Sequence, residues 1–230
     1  MLYHTKGLVL GTIKYSETSI IARIFTQNYG MQSYIVNGVR SQKARGKTAL
    51  YQPLSLLDLM VYHKPGKDIQ RISEARFSLS YQQLPFHPTK RAIGMFLTEV
   101  FGKVLRNESP NEELFLFLEQ SLILFDNQSE YLNNFHLQLL LKASAFMGFG
   151  PANGADLIDQ LAEAGYHFNL VTDELALLDQ LMHEKMGTHI GLSNALRRDL
   201  LDHIIKFYQV HTDSLKEIKS IDVLKTIMSS

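Results

Sequence analysis

The sequence predicts an α+β protein: a small closed barrel of five strands in residues 1–80, followed by an all-helical domain in residues 81–230. Three observations predict it. The apolar spacing has the period of strands in the first 80 residues and that of helices from Pro88 onward. The charge changes with the period. Residues 1–80 hold eleven Lys and Arg against four Asp and Glu, residues 81–230 hold twelve against nineteen, and the whole chain balances at 23 of each. A single stretch, Gly38 to Lys47, carries Arg40, Lys43, Arg45 and Lys47 with no acid among them.

The first strand follows Lys6-Gly7 through Val9 and Leu10. Thr18 to Thr26 supplies the second, with Ile20, Ala22 and Ile24 on one face and Ile21, Arg23 and Phe25 on the other. Asn28-Tyr29-Gly30 is a turn, and Gln32 to Val36 is a third strand ending at Asn37-Gly38. Pro53 opens a run from Leu54 to Tyr62, Pro65-Gly66 closes it, and Ile69 to Phe77 supplies the last strand. Five strands with one long basic loop between the third and fourth fit the oligonucleotide-binding (OB) barrel, which removes sheet edges by closure and binds polymers on its face and loops.

In the second part, Ile93, Phe96, Leu97, Val100, Phe101, Val104 and Leu105 form one apolar stripe of a helix. Leu114, Leu118, Leu122 and Phe125 form the next, after an Asn111-Glu112-Glu113 start whose acids suit a helix N-terminus. Leu132 to Met147 is apolar almost all round, as a central helix of a bundle should be. Ser193 caps a helix whose inward face is Leu196, Leu200, Leu201, Ile204, Ile205 and Tyr208. The intervening residues 150–190 read as irregular, with a strand-like Tyr166-His167-Phe168 and a helical stretch at Leu175 to Leu181.

Composition narrows the chemistry. There is no cysteine, which excludes disulfides, thiol catalysis and cysteine-ligated zinc. Hydrophobic content is 45%, and no apolar run approaches the ~20 residues of a bilayer span. Lys6 falls where a signal peptide would be apolar, so a cytoplasmic protein is expected. Gly148, Gly150 and Gly154 have the wrong spacing for a phosphate-binding fingerprint and follow a helix. Asp199, Asp202 and His203 fit a solvated helix face better than a metal site, and His183 with His189 lacks a carboxylate framework. No cofactor, metal or catalytic residue is expected, and no nucleophile elbow surrounds any serine.

The basic stretch has company. Tyr15, Phe25, Tyr29, Tyr34, Tyr51 and Tyr62 interleave with Lys6, Lys14 and Arg23 across the same predicted barrel. Cations neutralise phosphates and aromatic faces stack on unpaired bases, which together describe a sequence-tolerant platform for single strands. Arg40, Lys43, Arg45, Lys47, Lys6, Lys14, Arg23 and Tyr34 are the candidate DNA-binding residues, although a barrel this small must also fill its interior with aromatics.

Lys6-Gly7-Leu8-Val9-Leu10, Tyr15-Ser16-Glu17-Thr18-Ser19, Phe25-Thr26 with Gly30 and Ser33, Gly38-Val39-Arg40 with Lys43, and Gln52-Pro53 resemble, in that order, the amino-terminal domain of the bacterial RecO recombination mediators. The likeness continues through Met147-Gly148-Phe149-Gly150-Pro151 and Lys219-Ser220-Ile221-Asp222-Val223-Leu224. The resemblance implies an OB barrel followed by a helical domain, binding to single- and double-stranded DNA, strand annealing, and recombinase loading in recombinational repair. It implies as partners RecR, the tail of the single-strand-binding protein, and RecF as a further candidate. By matching position, Arg40 and Lys43 are the leading DNA contacts.

Many members of that family carry a four-cysteine zinc motif after the glycine-proline element, and this chain has none. Residues 152–190 must be held by packing instead, with Leu157, Leu161, Tyr166 and Phe168 as candidates. The tail of the single-strand-binding protein needs an apolar groove near cations, for which Arg197, Arg198 and Lys206 are candidates. A protein-interaction adaptor whose barrel only docks a partner, and a small enzyme with a site between helices, stay open as alternatives.

Overall fold

The computed structural model describes residues 1–39, 46–167 and 173–227. Five strands, β1 (Leu2–Lys14), β2 (Ile20–Thr26), β3 (Gly30–Val36), β4 (Leu56–Tyr62) and β5 (Ile69–Phe77), close into a barrel of order β1-β2-β3-β5-β4. A one-turn helix, α1 (Lys47–Leu50), lies between β3 and β4 in the chain. After the barrel come α2 (Pro88–Val104), α3 (Glu112–Asn127), α4 (Phe135–Phe146), α5 (Gly154–Glu163), α6 (Glu174–His183), α7 (Asn194–His211) and α8 (Ile221–Ile227). The five-stranded barrel followed by helices is the fold the periodicity predicts.

The chain divides into two compact units, with divisions after Tyr81, within α2 and within α3. The first unit is Met1–Tyr81 with Gly94–Glu119, and the second is Gln82–Ile93 with Gln120–Ser230. Residues 94–119, helical in period, thus belong with the barrel. This changes the charge balance: the first unit holds thirteen Lys and Arg against nine Asp and Glu, the second ten against fourteen.

β1 is longer than its sequence signal because it pairs on both sides. Leu2–Leu8 runs antiparallel to Leu56–Tyr62, while Gly7–Lys14 runs antiparallel to β2 with a bulge between Val9 and Gly11. A bulge sharpens the local twist, which is how one strand turns the corner of a small barrel. The interior is filled by Val9, Ile20, Ala22, Ile24, Tyr34, Leu57, Leu59 and Val61. It is so full that a Cβ on Gly7 would lie 2.5 Å from Ile24 Cγ2. β4 starts at Leu56 and not at Leu54 because Leu54 is buried with φ of 62°, a left-handed turn that no strand accommodates.

Phe25, on the outward face of β2, is nonetheless fully buried, against Phe115 of α3 at a centroid distance of 6.1 Å. Phe96, Leu97, Val100, Phe101 and Leu105 of the α2 segment and Leu114 and Leu118 of α3 are buried in the same unit. Gly102 lets this layer approach the barrel closely, its Cβ position 3.0 Å from Leu10 O.

In the second unit α4 is buried nearly all round, as its composition predicts. Tyr208 of α7 donates to Leu140 O at 2.7 Å, and Ser193 caps α7 by accepting from Leu196 N at 3.2 Å. Leu196 itself is only half-buried. Residues 150–190 contain two helices: α6 covers the helical stretch expected at Leu175 to Leu181, α5 forms where the spacing reads as irregular, and Tyr166-His167 is not a strand; Phe168 lies outside the described residues. Asn153 caps α5 by accepting from Asp156 N at 2.9 Å, and Leu157 and Leu161 are fully buried. Polar side chains of the α4 region pin the end of α6 and the chain beyond it: Asn134 donates to Ile190 O, Gln138 accepts from Gly187 N, and Lys142 donates to Met182 O. His203 is buried and paired with Glu174 at 2.6 Å, so the Asp199-Asp202-His203 set does not form one solvated face.

His136, inside α4, is wholly buried; that burial and the neighbouring Arg197 charge push its imidazole down to about 3. In the unfolded chain it titrates near 6.5, so between those values the unfolded state binds more protons and stability falls as pH falls. Urea unfolding should show the loss between about pH 7 and pH 5, and His136→Leu should reduce that loss by about 2 kcal/mol.

Candidate nucleic-acid interface

Four of the five strand pairings are antiparallel and run for most of a strand, but β3 and β5 pair in parallel over only three positions, Ser33 to Ile35 against Ile69 to Arg71. Beyond that ladder the two strands separate. β3 continues through Asn37 into the basic stretch, and β5 continues along β4. A groove of about 330 Å3 opens between them. Val36, Ile72, Leu50 and Tyr51 line its apolar part, and Asn37, Lys47, Tyr62 and Arg71 its polar part.

Lys47 opens α1 and closes the basic stretch. Arg71 stands opposite Tyr62 in the β4–β5 ladder, and Tyr62 is 49% exposed. Among the described residues neither Lys47 nor Arg71 forms an ion pair. Burial pushes the Tyr51 phenol up to about 12, so at neutral pH it is a neutral hydroxyl. Two uncompensated cations beside an exposed aromatic ring at the mouth of an apolar groove suit phosphate and unpaired base together.

The sequence-predicted residues separate into groups. Arg40, Lys43 and Arg45 lie outside the described residues. Lys14 is exposed at the end of β1. Lys6 and Arg23 are engaged under the helical layer: Lys6 Nζ donates to Glu119 Oε1 at 2.9 Å, and Arg23 Nη2 donates to Gly102 O at 2.9 Å. Desolvation, with Arg106 nearby, lowers the Arg23 pKa from its ordinary value.

Tyr34 is a correction. It points into the barrel and is fully buried, because its position on β3 shares the inward parity of the core. It offers no face to a base. Arg71 is the residue that sequence reasoning missed. Its place in Ile69 to Phe77 was legible, but one arginine on a strand has no meaning until β5 is placed beside β3 and Lys47.

In the second unit Arg197 is also a correction. It is 8% exposed and fully engaged, with Nε donating to Asn134 Oδ1 at 2.8 Å, Nη1 to Asn194 Oδ1 at 2.6 Å and Nη2 to Leu192 O at 3.0 Å. It fastens the start of α7 instead of facing a partner. Arg198 is exposed, and Lys206 is half-buried with Nζ 5.1 Å from the Tyr166 ring centroid. Among the described residues no three His, Asp or Glu side chains could hold a metal ion. Asp202 instead pairs with Lys225 at 2.7 Å, and His189 packs on Tyr131.

A closed five-stranded barrel followed by helices is OB-type architecture. Two family models match the chain: Recombination protein O N terminal over residues 1–81 and Recombination protein O C terminal over residues 86–154. The chain is 33% identical to the DNA repair protein RecO of Bacteroides fragilis, over 99% of both chains. It is 34% identical to the protein of that name from Phocaeicola vulgatus and 33% identical to that of Flavobacterium johnsoniae, over the full length of each. The chain belongs to the RecO family of DNA repair proteins. Among the described residues no helix is long and apolar enough to cross a membrane.

Tyr34 Oη is buried with no hydrogen-bond partner among the described residues. Burial of that hydroxyl raises its pKa well above the usual phenol range. Removing an unsatisfied buried hydroxyl should therefore help: Tyr34→Phe should raise stability by about 1 kcal/mol and leave DNA affinity unchanged, read by thermal unfolding and by fluorescence anisotropy.

Proposed function

We propose that this protein is a non-enzymatic, DNA-binding recombination mediator that binds single- and double-stranded DNA through the barrel groove and the four cations of residues 40–47. It anneals complementary strands and supports recombinase loading together with RecR, and its helical unit receives the tail of the single-strand-binding protein. RecF is a further candidate partner. The observation that carries this reading is the groove at the β3–β5 separation, where Lys47 and Arg71 stand uncompensated beside an exposed Tyr62 at the end of the four-cation stretch.

The mechanism follows from charge. Lys and Arg that neutralise phosphates lower the repulsion between two strands, and a groove that holds the backbone leaves base edges free to pair. No glycine-rich nucleotide loop is present in the sequence, so annealing should need no ATP. In a stopped-flow assay the protein should accelerate pairing of complementary oligonucleotides without ATP; no acceleration at any protein-to-DNA ratio would count against annealing.

Replacing Arg40, Lys43, Arg45 and Lys47 with Ala, and separately Arg71 with Ala, should weaken binding to every sequence tested. Each lost phosphate contact should reduce the slope of log affinity against log salt by roughly 0.7 on single strands and 0.9 on duplex. Folding should persist, because exposed cations add little to stability. A folded quadruple variant with an unchanged slope would place the DNA path away from this groove.

A further inference from the structure

We propose that this protein pairs with a second copy of itself along the open edge of β5, antiparallel and centred on Ala75, so that Glu74 of each copy meets Arg76 of the other. The pairing itself does not depend on the DNA-binding reading above; its effect on the groove at Lys47 and Arg71 rests on that reading.

β5 has strand neighbours on both sides only at its start. It pairs with β3 over Ile69 to Arg71 and with β4 as far as Phe77. From Ser73 to Phe77, among the described residues, no main-chain group bonds outside the β4 ladder. A strand edge in this state presents amide and carbonyl groups that a further strand can satisfy. Glu74 stands opposite Met60 and Ile72 opposite Val61, so Ser73 is the extra residue of a bulge and the strand bends there. The straight part is Glu74 to Phe77, and it is open to solvent, with the Arg76 side chain 81% exposed and Phe77 40%.

Charge selects a second copy over an unrelated segment. Ala75 packs against the barrel core, so Glu74 and Arg76 on either side of it share the outer face. Arg76 donates Nε and Nη2 to Asp58 Oδ2, at 2.9 and 2.6 Å, which leaves Nη1 to bond a further acceptor. Glu74 is exposed beside Met60, and among the described residues it forms no ion pair. One edge thus carries both an acid without a cation and a cation with a donor to spare, two positions apart.

Antiparallel strands related by a two-fold axis oppose residues symmetrically about their centre. Centring on Glu74 or on Arg76 would set like charges directly opposite one another, whereas centring on Ala75 sets Glu74 opposite Arg76 twice. The outer row then alternates in sign across the joined sheets, from Asp58 to Arg76 to Glu74 of the second copy. The edge is short and buries far less than the roughly 1,600 Å2 of a standard interface, so the association is weak and reversible. Ser73 and Ala75 also line the groove at Lys47 and Arg71, so self-pairing and occupation of that groove exclude one another.

The test is sedimentation velocity of the full chain without DNA, from about 1 to about 200 µM, the weak end of the affinity scale. Wild type should pass from monomer to dimer over that range. Glu74→Lys and Arg76→Glu, each checked for folding by circular dichroism, should associate roughly tenfold to thirtyfold more weakly, since two attractive pairs become two repulsive ones. Mixed in equal amounts, the two variants should associate with each other as wild type does, because every opposed pair is again unlike. If Arg76→Glu does not fold beside Asp58, Glu74→Lys against wild type decides alone. Wild type that stays monomeric throughout, single variants that dimerise like wild type, or a mixture that stays monomeric each overturns the pairing. An oligothymidylate of about 12 nucleotides, within the site sizes of OB folds, should return wild type to monomer, and a dimer that persists with the strand bound overturns the exclusion. Wild type that dimerises but binds no strand at low salt removes the DNA reading and leaves the pairing standing.

Discussion

The barrel is closed by its weakest seam. Three parallel positions, Ser33 to Ile35 against Ile69 to Arg71, join the two ends of a sheet whose other strands pair antiparallel over six or more positions. Parallel pairs are slightly less stable per residue, and three of them suffice here because the interior, packed around Tyr34, Ile24 and Leu59, holds the strands from within. The brevity of the seam leaves an opening. A longer ladder would have sealed the side of the barrel, whereas this one leaves a groove between β3 and β5.

The helical layer inside the first unit decides which cations remain available. Glu119 takes Lys6 and the Gly102 carbonyl takes Arg23, so these two cations of β1 and β2 are engaged by α2 and α3 residues. Lys47, Arg71, Lys64 and Lys67 all belong to the segments around the β3–β5 seam. The overall excess of the unit is modest, and a local field, not the net charge, is what attracts a phosphate backbone within a Debye length.

In the second unit, polar side chains of the α4 region do the holding that the missing cysteines cannot. Asn134, Gln138 and Lys142 bond to main-chain groups of Ile190, Gly187 and Met182, and Asn134 also receives Arg197. Buried hydrogen bonds of this kind specify one arrangement because breaking any of them strands a polar group away from water. These side chains sit on or beside an otherwise apolar helix, and their main-chain partners are why it tolerates Asn134 and Gln138 at buried positions.

What the sequence by itself determined is whatever depends on local period, capping and composition. Strand and helix regions, the inward parity of Ile20, Ala22 and Ile24, the burial of α4, the Ser193 cap and the basic stretch were all legible, because neighbours along the chain decide them. Tertiary packing alone settles which side chains stay exposed. Arg23 and Arg71 look alike on two strands of one barrel, yet one lies under a helix whose Gly102 carbonyl comes from 79 residues away and the other lines an open seam. Arg197 and Arg198 are adjacent on one helix, yet Asn134 claims the first and leaves the second in solvent. Tyr34 was one of several equivalent aromatics until closure of the sheet put it inside. Exposure and pairing of a side chain are set by what packs over it, and long-range packing leaves no periodic trace in the segment that it covers.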